Sequence, residues 1–238
     1  MNSIYNNIKS SNKKLLAVLI DPDKMTIENV SGFIEKINTS ITTHIFVGGS
    51  TVDDDATDIL VSQIKKHTEL PIVLFPGDVT QITNKADALL FLSLISGRNP
   101  EYLIGKHVEA VSVLKEITLE VISTGYVLIE SGKETDVQRV TQTQPISRNS
   151  IQQIVDVAKA GELLGMKLIY LEAGSGAINP ISNNIIKAVK EEIQIPLIVG
   201  GGIRSKIQLN EAYSFGADLV VIGTAFEDDE SFFDELKK

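Results

Sequence analysis

A carboxylate and three glycine turns carry the strongest chemical signal in this sequence. Residues 170–177 read YLEAGSGA, so Glu172 stands between an apolar run and a glycine turn, while the next two apolar runs end in GGGI and GTA. Glycines let a backbone approach a ligand closely and present N–H groups to phosphate oxygens. Any single turn could serve only to reverse the chain, but the three together predict a phosphate site.

Glu172 predicts a polar function, because an unpaired charge at the end of an apolar run is costly. Its carboxylate could hydrogen-bond the hydroxyl groups of a substrate or act as a base. A structural salt bridge is the alternative, since buried carboxylates with a cationic partner occur without catalytic function.

Two earlier runs also end in oxygen ligands. The first is followed by DPDK, where Asp21 could hold Mg²⁺, a cation that prefers oxygen ligands. Helix capping by Asp21, with Pro22 at the first helical position, is an equally good interpretation. The second run ends in GGST, where Ser50 or Thr51 could bind a diphosphate or its metal, or could cap the helix that follows.

Eight apolar, β-branched runs must position these residues. Continuous apolar runs are typical of parallel strands covered on both faces, and most of the segments between them have helical periodicity. This alternation predicts one α/β domain over residues 1–238, a (β/α)8 TIM barrel with its reactive groups at the carboxyl ends of the strands. The runs are 15–20, 44–50, 71–77, 88–96, 118–130, 167–174, 196–203 and 218–226.

Two connections depart from the regular repeat. Residues 77–87 are barely long enough for a parallel crossover, so the third outer helix is expected to be missing or replaced. Residues 132–150 are polar and are expected to form a long loop over the mouth of the barrel.

Composition excludes several classes of function. The chain has 238 residues, no cysteine and a net charge of -9, which argues against disulfides, thiolate chemistry and a nucleic-acid partner. No apolar run is long enough to span a bilayer, so we expect a soluble, cytoplasmic protein. The histidines at 44, 67 and 107 lack the spacing of zinc ligands and are predicted to lie away from the mouth, and residues 53–55 are predicted to form a solvated first helical turn.

The sequence resembles the geranylgeranylglyceryl phosphate synthase family, which includes the heptaprenylglyceryl phosphate synthases. These TIM-barrel prenyltransferases build ether-lipid precursors from sn-glycerol 1-phosphate and a prenyl diphosphate. The resemblance extends over nearly the whole chain, and SGRNPEYLIG and YLEAGSGA are its most specific segments. The other matching segments are LIDPDK, FVGGST, LFPG, GYVLIESG, PLIVGGGIRS and GADLVVIGTAFE.

The resemblance implies a role for each matching residue. Asp21 and Ser50 would bind the cofactor Mg²⁺, and Glu172 and Asp21 would be the catalytic residues. The resemblance assigns no role to Lys24, Arg98 or Arg204, and cations at 24 and 204 could serve the diphosphate or only the neighbouring helices. The residues that would bind glycerol 1-phosphate are Tyr170, Leu171, Glu172, Ala173, Gly174, Ser175, Gly176, Gly200, Gly201, Gly202, Gly223 and Thr224.

The resemblance also implies a reaction and a set of partners. Geranylgeranyl diphosphate would transfer its prenyl group to the 3-hydroxyl of sn-glycerol 1-phosphate, in a phospholipid-biosynthesis step. The family's third helix is replaced by an extended segment, and an apolar groove must hold the prenyl tail. A homo-oligomer, either a dimer or a hexamer, and at most transient membrane contact are expected.

Two other functions stay open on the sequence. Similar glycine turns occur in phosphate-binding barrel isomerases and aldolases. A Schiff-base aldolase needs a lysine near the mouth, but Lys167 lies at the start of its run, at the opposite end of the barrel. An isomerase needs a second acid–base group opposite Asp21, and Glu130 at the end of the fifth run could supply it. A barrel that binds phosphate without catalysis is the other alternative.

Overall fold

Eight parallel strands close into a barrel in chain order, with the last strand paired to the first. The computed structural model describes residues 3–50, 52–53 and 55–238. The predicted TIM barrel is confirmed, and each of the eight apolar runs contains one strand. The strands are β1 (Leu15–Ile20), β2 (His44–Val47), β3 (Ile72–Leu74), β4 (Ala88–Ser93), β5 (Glu120–Leu128), β6 (Leu168–Glu172), β7 (Leu197–Gly200) and β8 (Leu219–Ile222).

Side chains alternate along each strand between the barrel interior and the surrounding helices. Phe46 and Tyr170 pack in the interior cluster, whereas Ile45 and Val47 belong to the larger cluster between sheet and helices. Both faces of the sheet are therefore buried, which explains the continuous apolar runs. Because Glu172 is two residues beyond Tyr170, the same alternation directs its carboxylate to the inside of the barrel mouth.

Helices cover the outside of the barrel and close its bottom. Ile4 and Ile8 of α1 pack into the interior cluster, and the Glu120 carboxylate accepts hydrogen bonds from Ser3 Oγ and Ile4 N, both at 2.6 Å. No helix within the described residues is both long and apolar enough to cross a membrane. The helices are α1 (Ile4–Ser10), α2 (Val30–Thr39), α3 (Ala56–Ile64), α4 (Lys106–Leu114), α5 (Asp136–Thr141), α6 (Ile151–Leu163), α7 (Asn183–Glu192), α8 (Lys206–Ser214), α9 (Thr224–Asp228) and α10 (Phe232–Glu235).

The connection from β3 to β4 contains a short 3-10 turn, Val79–Gln81, in place of an outer helix. The predicted replacement of the third helix is therefore confirmed. The side chain of Gln81 fixes this turn, because its amide donates to Gly49 O at 2.9 Å and its carbonyl accepts from Gly77 N at 3.2 Å.

The polar connection from β5 to β6 is more ordered than predicted. It forms the six-residue helix α5 instead of a continuous loop, because Thr135 caps the helix by accepting from Gln138 N and because Val137 packs against the interior cluster. The segment does cover the mouth, as predicted. A π-helical turn, Glu101–Gly105, leads into α4 on the neighbouring side of the mouth, and no helix was predicted for this segment.

His44 and His67 lie away from the mouth, as predicted. His67 follows α3, where its carbonyl accepts from the Asn38 amide. His44 is 2% exposed inside the barrel, and its Nδ1 lies 2.8 Å from Thr43 Oγ1. Its Nε2 has no hydrogen-bond partner among the described residues, and burial lowers the pKa of His44 from 6.5 to about 4.

Acid should destabilise the barrel through His44. The unfolded chain binds a proton near pH 6.5 and the folded chain near pH 4. The contribution of neutral His44 to the free energy of unfolding is therefore fully present above pH 6.5. It is lost as the pH falls toward 4, by about 3 kcal/mol in total. Urea unfolding of the parent protein and His44→Gln between pH 4.5 and 7.5 measures the difference. A difference that is independent of pH would contradict the prediction.

Candidate active site at the mouth of the barrel

A cavity of about 220 Å³ opens at the carboxyl ends of the strands, as the barrel architecture requires. One part is polar and is built by the residues that follow β1, β2, β6, β7 and β8. The other part is largely apolar and lies between β3, β4, α4 and α5. The cavity therefore combines polar groups that suit a charged ligand with an adjoining apolar surface.

Glu172 is the buried carboxylate of the polar part. It ends β6, is 5% exposed, and accepts a hydrogen bond from Gly174 N at 2.5 Å. Burial raises its pKa from 4.5 to about 7, while the Gly174 N–H and the hydroxyl groups of Tyr170 and Tyr126 favour the charged form. A carboxyl group with this pKa can exchange a proton near neutral pH. No cationic side chain among the described residues pairs with Glu172, so the structural salt bridge is not formed.

Three glycine turns surround Glu172. Gly201, at a φ of 87°, lies directly against the carboxylate, since a Cβ there would stand 2.6 Å from Glu172 Oε1. The turns after β6 and β8 meet at Thr224, whose Oγ1 accepts from Gly176 N at 3.2 Å and lies 3.1 Å from Ser175 Oγ. Hydroxyl and N–H groups thus converge within hydrogen-bonding distance of one another, as an anion site requires.

Asp21 lies at the opposite edge of the polar part. A Cβ at Gly49 would stand 2.8 Å from Asp21 Oδ1, so the carboxylate rests against the end of β2, next to Ser50, which also lines the cavity. Partial burial raises the pKa of Asp21, while the N–H of Asp23 and the charge of Lys24 lower it.

The capping interpretations of Asp21 and Ser50 are wrong. Asp21 Oδ1 does accept from Asp23 N at 3.1 Å, but the next helical residues begin at Ile27, so Pro22 does not open a helix. The cap position of α3 is occupied by Asp55, so Ser50 does not cap it. Asp53 and Asp55 precede α3 instead of forming its first turn, and Thr51 and Asp54 lie outside the described residues.

An aromatic cluster forms the floor between the two parts of the cavity. Phe75 stacks on Tyr170 at 5.2 Å between ring centroids, and Tyr126 meets both rings edge-on at 5.8 and 5.4 Å. The groove continues from this floor along aliphatic and aromatic side chains, namely Val79, Ile82, Leu90, Phe91, Leu92, Tyr102, Ala110, Val137 and Val140.

His107 lines this groove, so the prediction that it lies away from the mouth is wrong. Its ring meets Phe91 edge-on at 4.4 Å, and its Nδ1 has no hydrogen-bond partner in the described part of the chain. Burial lowers the pKa of His107. The π-helical turn starts α4 close to the mouth, and this placement could not be read from the sequence.

Comparison with known proteins identifies the family. The sequence model of the PcrB family matches residues 8–238. The chain belongs to the PcrB family.

This PcrB-family chain is similar to two bacterial proteins named geranylgeranylglyceryl phosphate synthase. It is 57% identical over 225 residues to the protein of Zunongwangia profunda, covering 94% of this chain and 96% of the other. It is 55% identical over 226 residues to that of Flavobacterium johnsoniae, covering 95% and 93%.

A solved structure is also similar to this PcrB-family chain. The (S)-3-O-geranylgeranylglyceryl phosphate synthase of Thermoplasma acidophilum, in complex with its substrate sn-glycerol-1-phosphate, superimposes with a TM-score of 0.93 at 33% identity. The alignment covers 99% of this chain and 96% of the other. The two proteins therefore share the fold over essentially the whole chain.

Most of the predicted site residues of this PcrB-family chain come together in the cavity. Leu171 and Ala173 do not line it, because their side chains pack between sheet and helices. Gly200 lies under the Tyr170 hydroxyl, where any side chain would collide. The predicted residues that do line the cavity are Asp21, Ser50, Tyr170, Glu172, Gly174, Ser175, Gly176, Gly201, Gly202, Gly223 and Thr224.

Sequence reasoning missed several cavity residues of this PcrB-family chain. Tyr126 pairs directly with Tyr170 across β5 and β6, and this shared register is the signal that could have found it. Asp136 and His107 reach the cavity through α5 and α4. Their positions depend on a loop helix and a π-helical turn, for which the sequence offered no periodicity.

Proposed function

We propose that this PcrB-family chain is a geranylgeranylglyceryl phosphate synthase. It joins the 3-hydroxyl of sn-glycerol 1-phosphate to C1 of geranylgeranyl diphosphate and releases diphosphate. The observation that carries the proposal is the cavity, in which a buried carboxylate and glycine turns adjoin an apolar groove. The names of the relatives and the ligand in the Thermoplasma acidophilum structure support it.

The glycine turns bind the phosphate of the acceptor. The N–H groups of the β6 and β7 turns and the hydroxyls of Ser175 and Thr224 can donate to its oxygens once their mutual hydrogen bonds open. The acceptor is then held at its phosphate end, which leaves its hydroxyl end directed toward Glu172.

Glu172 orients and deprotonates the acceptor hydroxyl. In its charged form it accepts a hydrogen bond from the 3-hydroxyl, whose oxygen forms the new bond to C1 of the donor. The C1–O bond to diphosphate breaks and its electron pair leaves with diphosphate, while the hydroxyl proton passes to the Glu172 carboxylate. A pKa of about 7 suits this late proton transfer at neutral pH.

Asp21 and Ser50 fit a Mg²⁺ site. Both residues line the polar part of the cavity, and the Asp21 carboxylate rests against the end of β2 beside Ser50. Two oxygen donors suit an ion that takes one or two protein oxygens and completes its coordination with water and substrate phosphate oxygens. When bound, Mg²⁺ supplies positive charge that stabilises the departing diphosphate.

The apolar groove binds the prenyl tail. Its aromatic and aliphatic lining excludes water from the donor chain, and the aromatic floor brings C1 to the polar part of the cavity. The tail lies along β4 and α4, so the donor and acceptor approach each other from opposite halves of the barrel.

A transfer assay tests the proposed function. The protein is incubated with radiolabelled sn-glycerol 1-phosphate, MgCl₂ and prenyl diphosphates of several lengths, and the mixture is extracted with organic solvent. We expect label in the organic phase, with geranylgeranyl diphosphate as the best donor. Glycerol-phosphate binding without transfer to any donor would favour the non-catalytic barrel.

The isomerase is disfavoured because Glu130 is exposed and bonded to Ser147 and Arg148, outside the cavity.

Asp21→Asn should remove most of the response to Mg²⁺. Losing a ligand for the charge-stabilising ion is expected to lower turnover by about 100-fold. Initial rates as a function of MgCl₂ concentration measure the loss. Asp23→Asn is the matched control, because Asp23 is exposed and does not line the cavity. Equal rates for Asp21→Asn and the parent protein would exclude Asp21 from metal binding.

Self-association is also part of the proposal. The outer helices expose apolar side chains that a second copy could cover, including Ile104, Val108 and Val111 at helical spacing. Analytical ultracentrifugation should therefore show a dimer or a hexamer, and a monomer at micromolar concentration would contradict this expectation.

A further inference from the structure

Lys24 lies in the polar part of the cavity, between Asp21 and Glu227. Its Nζ is 2.7 Å from Glu227 Oε2 on α9 and 3.8 Å from Asp21 Oδ2, and its side chain is 50% exposed. Lys24 and Glu227 both line the cavity. The amine thus stands beside the predicted metal ligand, at the point where the loops after β1 and β8 meet.

The other cations of the cavity are held elsewhere. In the described chain the lining cations are Lys24, Lys106 and Arg204. Lys106 binds Asp78 at 2.8 Å and Glu109 at 3.0 Å, beside the apolar groove. Arg204 donates to Ala177 O at 3.1 Å and faces Asp228 at 3.7 Å, on the glycine-turn side. Lys24 is therefore the lining cation nearest to Asp21.

Carboxylates dominate the surroundings of Lys24. Asp21, Glu227 and Asp136 line the cavity and act electrostatically on the amine. A diphosphate that approaches this edge would be repelled by all three, so its binding requires positive charge at the same place. The exposed ion pair with Glu227 contributes little net stability, and Lys24 can give it up at small cost.

We propose that Lys24 binds the diphosphate group of the prenyl donor, moving from Glu227 to the diphosphate oxygens. This inference rests on the proposed function and adds a donor-binding residue to it. In the protein without substrate, Glu227 holds the amine at the rim. With donor bound, the amine donates to an oxygen of the departing diphosphate and stabilises the negative charge that develops there.

Inorganic diphosphate, the product of the proposed reaction, is the probe. Isothermal titration calorimetry with MgCl₂ measures its affinity for the parent protein, Lys24→Gln, Lys24→Arg and Glu227→Gln. Glu227→Gln breaks the same ion pair but leaves the lysine. Lys36→Gln is a further control, because it breaks an ion pair with Glu230 that has the same 2.7 Å length and the same 50% exposure of its lysine.

Lys24→Gln should weaken diphosphate binding about tenfold or more, the effect of losing one charge-assisted hydrogen bond. Lys24→Arg should retain most of the affinity. Glu227→Gln and Lys36→Gln should stay within about threefold of the parent protein. In the transfer assay, Lys24→Gln should raise the KM for geranylgeranyl diphosphate and leave the KM for sn-glycerol 1-phosphate nearly unchanged.

Two results would overturn the inference. Equal losses in Lys24→Gln and Glu227→Gln would show that the ion pair only joins two loops. Unchanged diphosphate affinity in Lys24→Gln would show that Lys24 does not reach the donor. A parent protein that yields no lipid product with any donor would instead defeat the proposed function, so the two failures are distinguishable.

Discussion

Glu172→Gln should remove most of the transfer activity and at the same time stabilise the folded protein at pH 8. The amide keeps the shape of the side chain and can still accept from Gly174 N, but it cannot take a proton from the acceptor hydroxyl. General-base contributions are typically about 10² to 10⁴-fold, so a loss in that range is expected for kcat. Single-turnover rates with saturating sn-glycerol 1-phosphate measure this loss.

The stability change follows from the raised pKa of Glu172. The folded chain binds this proton near pH 7 and the unfolded chain near pH 4.5. The contribution of protonated Glu172 to the free energy of unfolding is therefore fully present below pH 4.5. It is lost as the pH rises through 7, by up to about 3 kcal/mol. Glu172→Gln lacks this loss, so its free energy of unfolding should exceed that of the parent protein at pH 8 and match it near pH 4.

A pH–rate profile provides the independent check. The kcat/KM of the parent protein should rise with pH through about 7 as Glu172 becomes charged. If Glu172→Gln keeps the parent rate, the carboxylate has no part in proton transfer. If its stability difference is independent of pH, Glu172 is not the group that titrates.

Gly201→Ala should displace the Glu172 carboxylate and so lower the activity. The glycine adopts a φ of 87°, and a Cβ there would lie 2.6 Å from Glu172 Oε1 and 2.7 Å from Gly174 N. Since neither atom can yield without breaking the hydrogen bond between them, the β6 turn must shift. Misplacement of a reacting group by about 1 Å can cost about 100-fold, so we expect a loss of that order in kcat/KM for sn-glycerol 1-phosphate.

Gly165→Ala is the matched control for this substitution. Gly165 has a φ of 90°, but a Cβ there would meet nothing within 4 Å. It carries the backbone strain of a side chain at positive φ, about 1 to 2 kcal/mol, without a collision at the site. Comparable activity losses in both variants would mean that strain, and not the contact with Glu172, explains the effect.

Burial of both faces of the sheet made much of this architecture predictable. Continuous apolar runs located all eight strands, and the short connection before residue 88 predicted the missing third helix. The alternation of side chains along β6 directs Glu172 to the inside of the mouth and turns Leu171 and Ala173 outward, which the family pattern of contiguous site residues did not resolve.

The elements that the sequence did not predict depend on a few tertiary contacts. α5 forms in a polar segment because one cap and one apolar side chain stabilise it. The π-helical turn before α4 interrupts the normal helical period, so His107 was predicted to lie away from a cavity that it lines. The roles of Asp21 and Ser50 were open because capping and ligand binding need the same side-chain oxygens, and the structure removes capping by placing the helix starts elsewhere.

The connection between β3 and β4 is separate from the glycine turns, so the two parts of the cavity can change independently. The 3-10 turn that replaces an outer helix borders the groove, whereas the glycine turns follow β6, β7 and β8 on the other side of the barrel. Insertions or substitutions in this connection would therefore reshape the groove and leave the acceptor turns in place. Under the proposed function, the length of the lipid chain and the stereochemistry of the glycerol backbone are set by different segments of the barrel.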